Sequence, residues 1–251
     1  MPGRHTMIRM IARLGAIGLG LLLFVPLHYA WKLVGRRSAW PQAFLGFTAR
    51  RCGLRVTVGG EPMAGAVLFA ANHESWLDIL AIGGATGASF VAKDELRRWP
   101  VVGWLAALNA TLYVVRAARH QVQAQADQIR DALTGGGKVA LFPEGTVDAT
   151  RDVLPFRASL FASLYPPIPA VVVQPVALDY GDATADIAWL DDESTPDNVR
   201  RILSRPGTIP VTLTFLAPID PAAAEDRKAL AALAREEIVA ALASAPAADP
   251  L

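Results

Sequence analysis

Cysteine is almost absent from this chain. A single one, Cys52, stands among 251 residues. That excludes an internal disulfide and, with no paired Cys/His spacing, a structural zinc site. Stability must come from packing, and Cys52 itself reads as a small buried apolar residue. Acidic residues are missing from the first sixty positions. None precedes Glu61, whereas Arg4, Arg9, Arg13, Lys32, Arg36, Arg37, Arg50, Arg51 and Arg55 all do. The net charge of +1 therefore hides a basic arm of nine positive charges, followed by a remainder with fifteen basic and twenty-three acidic residues. A Gly-x-Ser-x-Gly elbow is also absent, so an exposed serine nucleophile of that kind has no sequence to carry it. Internal repeats and low-complexity linkers are not found either.

What is present is apolar. Hydrophobic residues make up 53% of the chain, which excludes disorder and suffices for one domain of the larger α/β type. From Leu14 to Trp31 the sequence reads LGAIGLGLLLFVPLHYAW, uncharged and bracketed by Arg9 and Arg13 on one side and Lys32, Arg36 and Arg37 on the other. This is membrane chemistry rather than nucleic-acid chemistry. Its length lies at the lower edge for a span, and Pro26 and His28 weaken its second half. A second apolar segment, Trp40 to Phe47, ends before Arg50 and Arg51. The pair predicts two helices dipping into one leaflet with arginines at anionic headgroups, a single span being the alternative. Trp31 and Trp40 read as interfacial anchors. A cleaved signal peptide fits poorly, because His28 and Tyr29 would precede a cut after Ala30. Residues 1–53 thus form a membrane-association segment ahead of a domain over 54–251.

Beyond Gly59-Gly60, short β-rich runs alternate with helical stretches. Strands are predicted over Leu54–Val58, Ala66–Ala70, Ser89–Ala92, Thr111–Val115, Lys138–Phe142, Val171–Leu178, Ile187–Leu190 and Val211–Leu216. Several are continuously apolar, as strands covered on both faces should be. Between Arg119 and Leu133, Val122, Ala126, Ile129 and Leu133 recur at helical spacing. Gly135-Gly136-Gly137 then stops that helix; it follows a helix and precedes a strand, the reverse of a phosphate cradle. Thr195-Pro196 and Asp220-Pro221 each offer a cap followed by proline at a first helical position. The last helix, with Leu230, Leu233 and Ile238, should end before Pro246. The alternation implies a mainly parallel sheet flanked by helices, with functional loops at the strand carboxyl ends.

The stretch NHESWLD, Asn72 to Asp78, falls in such a loop. Ser75 is placed to cap a helix beginning at Trp76. His73 then lies in the loop and Asp78 in the first helical turn, from where a carboxylate can accept the proton of one ring nitrogen and leave the other as a base. Alone, a histidine five residues from an aspartate is as consistent with an ordinary turn. A metal site lacks the second histidine, since position 77 is Leu77.

Three further blocks accompany it. LYVVR ends at Arg116, FPEGT runs from Phe142 to Thr146, and VVVQPVAL contains Pro175. With NHESWLD, which resembles an Asn-His-x-x-x-x-Asp motif, this ordered set resembles the glycerolipid acyltransferases, the family that includes 1-acylglycerol-3-phosphate acyltransferases, over about Leu54 to Leu216. The resemblance implies a glycerol-3-phosphate acyltransferase-like fold and a reaction in which His73, oriented by Asp78, takes the proton from a lysolipid hydroxyl as that oxygen attacks an acyl thioester. It implies acceptor binding by Arg116, Glu144, Gly145, Thr146 and Lys93. Asn72 would hold the loop or the developing oxyanion, with Ser75 in support. No metal or cofactor is implied, acyl-CoA or acyl carrier protein being a co-substrate.

One departure bears on the acceptor. Family members acting on phosphate-bearing acceptors commonly follow FPEGT with arginine, whereas this chain has Val147 and Asp148. That weakens a dianion site unless Arg151 or Arg157 reaches back. The insert followed by PFRASLF also resembles acyltransferases of lyso-ornithine lipid, whose headgroup carries a carboxylate and an amine. Lysophosphatidate is therefore the first expected acceptor and lyso-ornithine lipid the second. Trp76, Trp99 and Trp104 either line an acyl groove or simply pack. The expected location is the cytoplasmic face of the inner membrane, where acyl thioesters are found. A catalytically silent lipid-binding protein is the reading from another class, and a serine hydrolase the second enzymatic one.

Overall fold

The computed structural model describes residues 4–35, 38–114, 119–147, 152–189 and 193–244. Helix α1, Arg4–Leu33, is 30 residues long and carries Pro26 inside it without ending there. It therefore extends past both ends of the uncharged segment. Helix α2, Trp40–Cys52, starts with proline in its first turn and stops at Gly53 in a left-handed conformation (φ 98°). The two pack as a hairpin. Gly20 permits the contact, since a Cβ there would lie 2.6 Å from the Phe47 ring. The ring of Phe24 closes it against Trp40, Phe44 and Phe47 at 5.7–5.9 Å. Arg9 and Arg13, expected at headgroups, instead donate to carbonyls far along the chain: Arg9 to Ser204, and Arg13 to Ile202, Leu203 and Gly207.

The rest alternates as the apolar runs predict. In order come β1 (Leu54–Gly59), β2 (Val67–Ala71), α3 (Leu77–Thr86), β3 (Ser89–Lys93), α4 (Pro100–Leu108), β4 (Leu112–Val114), α5 (Arg119–Thr134), β5 (Lys138–Leu141), β6 (Val172–Asp179), the single turn α6 (Thr184–Ile187), α7 (Thr195–Ser204), β7 (Ile209–Phe215) and α8 (Arg227–Ser244). The seven strands form one sheet in the order β1-β7-β6-β2-β5-β3-β4. β6, β2, β5, β3 and β4 are mutually parallel, and the antiparallel β6–β7 pairing sets β1 and β7 the other way.

Central β2 shows why its sequence is apolar throughout. Val67, Phe69 and Ala71 face one cluster with α2, α3 and α7, while Leu68 and Ala70 face another with α5 and α8. Both faces are dry, so period-two alternation disappears. Cys52 is buried in the first cluster.

Three expectations are corrected. Residues 187–189 form no strand: Ile187 closes α6, because a short 3₁₀ turn over Gly181–Ala183 feeds directly into it; Leu190 lies outside the described residues, as does the terminal Val115 of the fourth expected strand. The cap of α7 is Ser194 rather than Thr195, its side chain accepting from the Asp197 amide. Asp220-Pro221 starts only a 3₁₀ turn, and α8 begins after Asp226, whose carboxylate accepts from the Lys228 and Ala229 amides.

Candidate active site

β2 delivers Asn72 and His73 at its carboxyl end, and α3 returns Asp78 in its first turn. The helix starts at Leu77, one residue later than the capping serine predicted. The backbone amides of Glu74 and Ser75 donate to Asp78 Oδ2 at 2.8 and 2.9 Å, so the aspartate satisfies the loop amides just ahead of the helix. Ser75 Oγ accepts from the Leu77 amide, two residues on, at 3.4 Å. The same Oδ2 lies 2.8 Å from His73 Nδ1. Because backbone amides can only donate, Oδ2 carries no proton, and Nδ1–H must be the donor. Nε2 is thereby the basic nitrogen, and no hydrogen-bond partner for it is found among the described residues.

Burial separates the partners. Asp78 is fully buried, whereas 15% of the His73 side chain remains accessible. The Tyr180 hydroxyl, at the end of β6, donates to Asp78 Oδ1 at 2.6 Å. Burial first, then the adjacent Asp78 and Glu74 carboxylates, push the Tyr180 phenol well above its ordinary pKa, so it stays a neutral donor. Phe142 stacks on the imidazole with centroids 3.9 Å apart and planes 14° from parallel. The ring is thus fixed at one edge by Asp78 and on one face by Phe142.

FPEGT meets this loop through Glu144. Its buried carboxylate accepts from the His73 backbone amide at 2.8 Å and from the Leu154 amide at 2.9 Å. Glu144 therefore joins the β2 loop to the chain leading into PFRASLF. Gly145, at φ 72°, has the left-handed backbone that favours glycine, and the Arg157 guanidinium packs over it, its Cζ and Nε 2.9 Å from where a Cβ would stand. The exposed Arg157 guanidinium accordingly rests on the FPEGT turn.

The other predicted residues divide. Asn72 points away from the imidazole, donating to the Leu178 carbonyl at 2.9 Å and accepting from the Leu178 amide at 2.8 Å, which locks β2 to β6. Thr146 is exposed. Lys93 ends β3 on the same sheet edge. Arg116, Asp148 and Arg151 lie outside the described residues. Trp76 packs on the first cluster and donates to Asn198 at 3.0 Å. Sequence reasoning missed Tyr180 and the Glu74–Thr184 bond of 2.8 Å. The available signal for Tyr180 was its place just past a strand predicted to end at the functional edge. Neither the pairing of β6 with β2 nor the direction of the phenol is written locally.

The family described as Acyltransferase matches residues 55–179. A lyso-ornithine lipid O-acyltransferase of Brucella abortus is 34% identical, covering 98% of this chain and 97% of the relative. A 1-acyl-sn-glycerol-3-phosphate acyltransferase of Neisseria gonorrhoeae is 33% identical over 76% of this chain and 75% of its own length. The crystal structure of the 1-acyl-sn-glycerophosphate acyltransferase PlsC from Thermotoga maritima shares the fold, with a TM-score of 0.67 at 20% identity and full coverage of both chains. The chain belongs to the acyltransferase family of lysophospholipid enzymes, and is a membrane-associated O-acyltransferase.

Proposed function

We propose that this enzyme acylates the free hydroxyl of a lyso-ornithine lipid, using acyl-CoA or acyl carrier protein as donor, at the cytoplasmic face of the membrane. The chemistry rests on one observation, the His73 Nδ1–Asp78 bond of 2.8 Å that leaves Nε2 as a base on a partly accessible ring. Nε2 removes the acceptor hydroxyl proton as the oxygen attacks the thioester carbonyl. The C–O bond forms, the C–S bond breaks, and the departing thiolate takes the proton back from Nε2. Asp78 holds the tautomer and stabilises the transient imidazolium.

The acceptor assignment rests on charge. Val147 follows FPEGT where a phosphate site would gain a cation, and the described cation against the turn is Arg157. One planar guanidinium matches a carboxylate in a two-point contact, whereas a dianionic phosphate favours a second cation. The Brucella relative, matched along nearly its whole length, carries the same acceptor in its name. Lysophosphatidate is the second reading, supported by the Neisseria relative. An acceptor panel decides between them. Purified protein in detergent receives a labelled acyl thioester with each lysolipid, and lyso-ornithine lipid should give the higher kcat/KM. Preference for lysophosphatidate would overturn the assignment. Arg157→Ala should raise the acceptor KM with little change in kcat.

A further inference from the structure

α4 contains no charged residue, yet it lies on the surface. Trp99, just before it, is 41% exposed; Val101, Val102 and Trp104 are 61%, 43% and 42% exposed. Among its described side chains none is buried, and its one buried position is Gly103, where a Cβ would sit 2.4 Å from the Arg97 carbonyl. The helix thus folds back on the Asp94–Arg98 turn and turns its apolar side outward. A helix destined for water carries a polar stripe at helical spacing. This one has none, and a contiguous apolar surface with tryptophan at its margin marks an interaction site.

Its location identifies the occupant. Phe90 of β3 faces α3, since a Cβ on Gly83 would lie 3.1 Å from its ring. Ala92, two residues on, points to the same side, and Tyr113 is its partner across the parallel β3–β4 ladder. The Tyr113 hydroxyl donates to the Gly103 carbonyl at 3.2 Å, and Arg97 lies 4.5 Å over its ring. α4 therefore occupies the same face of the sheet as α3. That face also carries α2, which meets α3 closely enough that a Cβ on Gly84 would be 2.7 Å from Gly46 Cα. α2 in turn holds α1, whose Leu19, Leu22 and Leu23 are 70%, 74% and 58% exposed. The turn before α4 starts at the carboxyl end of β3, the sheet edge that bears His73.

We propose that α4 is a second point of insertion into the leaflet that receives α1, with Trp99 and Trp104 at headgroup depth beside the entrance to the active site. The Asp94–Arg98 turn has two acids and two arginines, so apolar burial rather than net charge drives the contact. A lysolipid then passes from bilayer to His73 without exposing its acyl chain to water. The proposal rests on membrane attachment through α1 and not on which lipid is acylated.

Depth measurement tests it on the full chain. Cys52 is buried, so an introduced cysteine takes a nitroxide selectively. Val101→Cys, Val102→Cys, Leu22→Cys and Ala232→Cys are labelled and bound to phosphatidylethanolamine–phosphatidylglycerol vesicles. Ala232 is exposed on α8, across the sheet. The labels on positions 101 and 102 should resemble that on position 22, with oxygen colliding more readily than a water-soluble nickel chelate, and position 232 should show the reverse. Labels at 101 and 102 that behave like 232 while 22 stays in lipid would overturn the proposal and leave attachment through α1 intact. All four in water would overturn both.

Discussion

Asp78→Asn is the sharpest perturbation of this site because it preserves shape and removes charge. An asparagine oxygen placed where Oδ2 stands still accepts from the Glu74 and Ser75 amides and from His73 Nδ1. Its NH₂ then meets the Tyr180 oxygen, which reverses from donor to acceptor. What disappears is the attraction between a carboxylate and the imidazolium formed when Nε2 takes a proton. With Nδ1 and Oδ2 2.8 Å apart, the charge centres are separated by about 4 Å. At an effective dielectric of about 20 the interaction is worth about 4 kcal/mol, or roughly a thousandfold in rate. The variant should therefore lose about 10³ in kcat with acceptor KM nearly unchanged, measured as thioester turnover at saturating acceptor and normalised to the folded fraction from near-ultraviolet circular dichroism. A folded variant within about fivefold of the parent would show that Asp78 only caps α3, and the general-base mechanism would fall with it.

Tyr180→Phe leaves Asp78 Oδ1 buried without its donor and should lower unfolding free energy by about 1.5–3 kcal/mol in denaturant titration, while turnover of the folded fraction falls less than tenfold. Gly145→Ala should raise acceptor KM more than Arg157→Lys does, because it strains a left-handed backbone and displaces the guanidinium together, as steady-state kinetics would reveal. Arg13→Ala frees the carbonyls of Ile202, Leu203 and Gly207 and should cost about 1–2 kcal/mol, read as a lower Tm. Burial pushes the Cys52 thiol from 9.0 up to about 12. The folded state then holds this proton after the unfolded chain has lost it, so stability is full below pH 9 and falls as pH rises towards 12, by about 1.4 kcal/mol per unit. Cys52→Ala should flatten that slope in a pH series of chemical denaturation.

Much of this protein is written locally. The apolar run of β2, the spacing from His73 to Asp78, the glycine stop after α5 and the basic, acid-free N-terminus each report nearby physics: burial on two faces, reach across one helical turn, backbone freedom and surface charge. Distant partners are not written in that way. Nothing near Tyr180 announces a bond to Asp78, 102 residues earlier, and nothing near Glu144 states that its carboxylate clamps the His73 amide. Arg9 and Arg13 looked like headgroup ligands because adjacent residues are apolar, yet they hold carbonyls at the end of α7. Residues 187–189 had the composition of a strand, but Ile187 closes a helical turn instead. Periodicity and composition decide what an element is and which side of it is dry; which donor meets which acceptor depends on the order β1-β7-β6-β2-β5-β3-β4, because that order alone brings residues a hundred positions apart within hydrogen-bond distance.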